Sequence, residues 1–174
     1  IAGRYHYWRA GLSWNRSDFY DLFGPTKRSR KGYSATLGYD WSLIYDLPRT
    51  LDVIFDVAYY DQIDTLPNAQ NVGTDFTRLV TSRVALRYND VRRSIGAVDD
   101  EKGVKGVLGY KGSYVNGHLT PQVAGGFDVG FALPLAHSSL WLRTAGGFAN
   151  GDRNSTVANF YFGGFGNNYV DDKS

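Results

Sequence analysis

"KGYSATLGYDWSLIY", residues 31–45, alternates almost without a fault. Its odd positions are Tyr33, Ala35, Leu37, Tyr39, Trp41, Leu43 and Tyr45. Its even positions are Gly32, Ser34, Thr36, Gly38, Asp40 and Ser42, with Ile44 the one lapse. Successive side chains of a strand point to opposite faces, so this stretch has one greasy face and one polar face. Strands in soluble domains are typically about 5–6 residues long. This one is far longer, and something must lie against its apolar strip.

The same period recurs along the chain. In 4–14 the even positions His6, Trp8, Ala10, Leu12 and Trp14 are largely apolar. In 50–60, Leu51, Val53, Phe55, Val57 and Tyr59 oppose Thr50, Asp52, Asp56 and Ala58. Phe76, Val80, Val84, Leu86 and Tyr88 form the apolar side of 76–88, and Val104, Leu108, Tyr110 and Tyr114 that of 104–115. In 119–133 the set is Leu119, Val123, Phe127, Val129, Phe131 and Leu133, and in 139–148 it is Leu140, Leu142 and Phe148. With the aromatic 157–165, these make eight predicted strands and no predicted helix. The connections 15–30 and 61–75 are long, "DLPR" and "PLAHS" are short, and 89–103 breaks that scheme.

Composition narrows the class. The net charge of +2 and the lack of a basic-aromatic stripe argue against nucleic acid as a partner. Cysteine is absent, which removes disulfides, thiolate metal sites and cysteine nucleophiles. No apolar run approaches the roughly 18 residues of a membrane helix. Methionine is absent too, so the expectation is one excised stretch, 1–174, incomplete at both ends.

Strand length decides between two readings of the alternation. A soluble sandwich alternates as well, but segments of 11–15 residues suit a tilted bilayer crossing, which takes about 9–11. Aromatics near predicted strand ends (Tyr33, Tyr45, Tyr59, Phe76, Tyr88, Tyr114, Phe148) suit interfacial girdles. The expectation is therefore all-β: an antiparallel transmembrane β-barrel, with about eight strands here belonging to a larger one. Its lipid-facing set would be Tyr33, Leu37, Tyr39, Trp41, Leu43, Val53, Phe55, Val57, Phe127, Val129 and Phe131. Its lumen-facing charges would be Asp40, Asp52, Asp56, Arg83, Arg87, Lys105, Lys111, Asp128 and Arg143, with Asp52 beside Arg83.

Three stretches carry a resemblance. "DFYDLFGPTKRSRKGYSATLGYDWSLIYDLPRTLDV" (18–53), "RYNDVRRSIGAVDDEKG" (87–103) and "NFYFGGFGNNYVDD" (159–172) resemble the C-terminal barrel of the bacterial surface-antigen, BamA-type, outer-membrane superfamily. The resemblance implies a barrel of about sixteen strands, located in a bacterial outer membrane. It also implies a role in outer-membrane protein assembly or polypeptide translocation. Implied partners are lipid, unfolded outer-membrane or secreted polypeptides, and periplasmic domains. The family's Arg-Gly-aromatic lumen motif is absent; "RKGY" at 30–33 is only superficially similar. The alternative is a porin-like or anchoring barrel whose loops bind ligands or surfaces.

Smaller signals compete with plain solvation. Lys27, Arg28, Arg30 and Lys31 offer lipopolysaccharide phosphates a cationic contact. His137 stands two residues before Ser139, as in outer-membrane phospholipases, but without a placeable third group. Asp99, Asp100 and Glu101 cluster without a calcium-loop spacing. No enzyme activity, metal or cofactor is expected.

Overall fold

Each long alternating segment becomes one strand of a single antiparallel meander. The computed structural model describes residues 5–16, 31–67, 69–152 and 154–160. Its strands are β1 (His6–Asn15), β2 (Gly32–Asp46), β3 (Arg49–Asp61), β4 (Thr65–Leu66), β5 (Ala69–Gly73), β6 (Arg78–Arg92), β7 (Lys102–Val115), β8 (His118–Ala132) and β9 (Ser139–Ala149). Seven of them form one sheet in the order β1-β2-β3-β6-β7-β8-β9; β4 and β5 pair separately. The sheet is open, since β1 and β9 do not pair with each other.

The register sorts side chains into two faces that run unbroken across all seven strands. One cross-sheet row reads Trp8, Tyr39, Phe55, Val84, Tyr110, Val123, Phe148. Directly opposed residues share a face, and such pairs are what stabilise a sheet. Trp8 and Tyr39 rings lie 4.5 Å apart and Tyr39 and Phe55 6.1 Å. Tyr39 and His6 satisfy each other's polar tips, hydroxyl to Nδ1 at 2.5 Å.

On this apolar face charge appears only at the two rims. Arg49 opposes Asp90 at one end of the β3–β6 ladder and Asp61 opposes Arg78 at the other. From Arg49 to Asp61 the strand rises about 41 Å. Leu51, Val53, Phe55, Val57 and Tyr59 fill the interval.

One irregularity explains the lapse at Ile44. The β2–β3 register shifts between Ser42 and Ile44, so Leu43 is the extra residue of a bulge and Ile44 takes the place opposite Leu51. Tyr45 then pairs with Thr50 on the polar face, where its ring meets Tyr5 at 5.3 Å. The expectation that the greasy odd face runs on to Tyr45 is thus corrected: it ends at the bulge.

Two other expectations change. Phe76 is not on a strand; it is buried in a small core with Ile63, Leu66, Leu79 and Val157. The predicted strand 157–165 is turn and irregular chain over 157–160, and 161–165 lie outside the described residues. The segment 62–77 carries the β4–β5 hairpin. Loop lengths are also less one-sided than expected. The rim bearing this hairpin also holds the two-residue turn Asn116-Gly117, and the rim with the tight Leu47-Pro48 turn also carries 93–101.

Asn116 (φ 48°) and Gly117 (φ 85°) both have positive φ, the conformation of hairpin turns whose twist matches that of the flanking strands. Gly117→Val should lower the unfolding free energy by about 1–2 kcal/mol, read by urea denaturation of the refolded chain. Gly146→Ala, whose added methyl meets open space, should leave the midpoint unchanged.

Candidate functional site

The face opposite the apolar one collects the charged side chains. The register puts Asp40, Asp52, Asp56, Arg83, Arg87, Lys105, Lys111, Asp128 and Arg143 all on it. Tyr33, Leu37, Tyr39, Trp41, Val53, Phe55, Val57, Phe127, Val129 and Phe131 lie on the other face, and Leu43 sits in the bulge.

The two faces differ in exposure in the inverse of the usual sense. Leu12 is 87%, Leu108 57% and Phe127 50% exposed, whereas on the charged face Asp128 is 7%, Gln122 3% and Ser113 1% exposed.

Within that face the signs are segregated. On β2 and β3 the charges are acidic: Asp40, Asp52 and Asp56. On β6 and β7 they are basic: Arg83, Arg87, Lys105 and Lys111. Asp52 stands opposite Arg87, and Asp56 opposite Arg83. The expected neighbour of Asp52, Arg83, is therefore two positions along the same face, beyond Ala85, rather than directly across. Asp52 also accepts a hydrogen bond from Ser42 Oγ at 2.6 Å.

Arg9 is a residue the sequence reading missed. Its guanidinium donates to Asp40 at 2.8 Å and to Asp56 at 3.0 Å, tying β1 and β2 to β3. It reaches Asp56 across Gly38, where a Cβ would come within 2.7 Å of Asp56 Oδ1 and 3.0 Å of Arg9 Nη2. The absence of a side chain at Gly38 is what lets the bridge close. The signal was available: Arg9 has the polar parity of its strand.

The second rim holds a compact cluster built from the 93–101 and 133–138 connections. Asp100 accepts from Lys105 at 2.6 Å and lies 3.9 Å from Arg93, and its backbone carbonyl accepts from Trp141 Nε1 at 3.0 Å. Glu101 accepts from the Ser94 backbone N–H at 2.9 Å and lies 3.3 Å from His137 Nδ1. Hydrogen bonds from the Ser94 side chain and backbone hold the Glu101 carboxyl below its ordinary value, with a smaller contribution from His137. His137 presents the same ring nitrogen to Glu101 and to Ser94 Oγ. A nucleophile relay uses the two nitrogens separately, so these groups do not form one. Ser139 Oγ points instead to the Asp100 carbonyl at 3.5 Å.

Among the described residues no group of three or more His, Asp or Glu side chains could hold a metal ion. Of the basic cluster, Lys27, Arg28 and Arg30 lie outside the described residues; Lys31 pairs with Asp64 at 3.0 Å. No protein-family model, no curated protein and no solved structure matches this chain.

Two predictions follow from the charge geometry. In a urea-unfolding double-mutant cycle, Asp52→Arg with Arg87→Asp should show a favourable coupling of about 0.2–1 kcal/mol, and Asp52→Arg with Arg83→Asp a smaller one. At the rim, the Glu101 tie is fully present above the ordinary carboxylate value and is lost as pH falls through the lower folded one. Hydrogen exchange at the Ser94 amide should therefore gain protection as pH rises through that range, beyond the intrinsic base dependence. Glu101→Gln should abolish the gain.

Proposed function

We propose that this chain forms part of the wall of an outer-membrane β-barrel, with its charge-free face against lipid and its charged face toward the interior. One observation carries this reading: along β3 and β6–β8 most large side chains of the apolar face are exposed, while the charged residues opposite are half-buried or buried. A soluble sandwich would bury the former against a second layer. The rim-to-rim separation on β3 supports it: at the tilt near 40° of a barrel strand, its rise of about 41 Å spans about 31 Å of the membrane normal, close to the hydrocarbon thickness of about 30 Å. In hydrocarbon no strand edge can stand unpaired, so β1 and β9 are completed by further strands. The seven described strands are then one section of a larger barrel.

Following the sequence resemblance, the barrel belongs to a surface-antigen-type protein that inserts or moves polypeptides across that membrane. A porin-like role is the second reading, favoured by the separation of acidic β2–β3 from basic β6–β7. The two strips are neighbours, Asp52 across from Arg87 and Asp56 across from Arg83, and charged side chains that line a pore set its selectivity.

The test is a depth profile. Val84 lies midway between the rims, opposite Phe55, and Val104 lies beside the rim, opposite Asp90. In bilayers, Val84→Arg should cost about 2–4 kcal/mol and Val104→Arg about 0–1. Equal costs at the two depths, or a chain that stays folded and monodisperse in water without detergent, would refute the membrane reading.

A further inference from the structure

The charged face changes character at the rim that bears the β4–β5 hairpin. There Tyr60, Leu79 and Val115 lie on it, flanked by Ser34 and His118. Ile63, Leu66 and Phe76 fold down onto this apolar seat, each less than a tenth exposed, and Val157 joins them from beyond β9. The connection between β3 and β6 does not stand up from the sheet; its two legs, 62–67 and 72–77, lie back over the face.

Polar ties fix the legs to each other and to the sheet. Ile63 N donates to the Thr77 carbonyl at 3.2 Å, Thr74 N to the Asp64 carbonyl at 2.8 Å, and Lys31 Nζ to Asp64 at 3.0 Å. From the other flank, Gln122 Nε2 donates to the Asn159 carbonyl at 3.3 Å, and Gly151 packs on Thr120. The floor next to the seat is polar: Thr81, Ser113 and Thr120 form one row, with Gln122 beside them. Ser113 Oγ and Gln122 Oε1 are buried and find no partner among the described residues.

A buried polar atom without a partner destabilises the state that buries it, whereas the apolar contacts above stabilise that same state. Opposed contributions of this kind produce an element that opens locally rather than only with the whole fold. We propose that the legs 62–67 and 72–77 are a strap that closes this end of the charged face. Opening it admits water and small polar solutes to the row Thr81, Ser113 and Thr120. Closure itself does not depend on lipid; only the identification of the closed space as a barrel interior rests on the membrane reading.

The chain has no cysteine, so single cysteines serve as probes in the full chain reconstituted into phospholipid vesicles. A small charged thiol reagent should modify Ser113→Cys far more slowly than Asn89→Cys, on the same face near the other rim. Adding Leu66→Asp or Phe76→Ala should speed modification at 113 by about ten-fold or more and leave position 89 unchanged. Asp64→Asn, which leaves the apolar contacts in place, should speed it by up to about five-fold, the worth of one exposed ion pair. Equal rates at 113 and 89 in the unmodified strap would overturn the proposal. So would no change at 113 in any strap variant, or equal acceleration at both positions. Leu108→Cys on the apolar face reports on the membrane reading separately: rapid modification there sinks that reading and leaves the strap standing.

Discussion

The exclusion of charge from one face of the sheet, between the Arg49/Asp90 and Asp61/Arg78 rims, is the constraint on which the rest depends. A strand offers only two directions, so each apolar residue on one side commits its neighbours to the other. Lys, Arg and Asp spaced along β3, β6 and β7 must then share a single face and find partners there. Arg9 answers part of that demand by spanning three strands, and Gly38 makes room for it. The individual ion pairs contribute little, since Arg9, Asp40 and Asp56 are all substantially exposed. The backbone ladders hold the sheet together, and the side-chain charges distinguish its two faces.

Much of this was legible in the sequence because period-two alternation over more than ten residues admits few other readings. The parity of Val53, Phe55 and Val57 against Asp52 and Asp56 gave both the strand and its two faces. What alternation cannot supply is register. The partner of Asp52 depends on where β6 begins, and Phe76 looked like its first residue because an aromatic side chain suits a strand end and a small core equally well. Burial by the β4–β5 segment, a tertiary effect, moved Phe76 out of the strand and shifted the cross-strand pairs.

The bulge at Leu43 is a second case. Ile44 was visible as a fault in the pattern, and a fault has two remedies: an apolar residue tolerated on the wrong face, or an extra residue that restores the right one. The chain uses the second, which keeps Ile44 on the charge-free side and sends Tyr45 to the other. Among the site residues, those on long strands could be placed by parity. Asp100, Glu101 and His137 could not, because their meeting depends on two connections folding toward each other.

The turn at Asn116-Gly117 bears on how the chain acquires this arrangement. Strands β7 and β8 are separated by two residues already suited to reversing direction, so their pairing needs a loop closure as small as that of β2 with β3 and smaller than any other in the sheet. The β3–β6 pairing must enclose the whole β4–β5 excursion. Contacts close in sequence form before distant ones, so the 32–61 and 102–132 hairpins are the natural templates, and the β3–β6 pairing that joins them comes later.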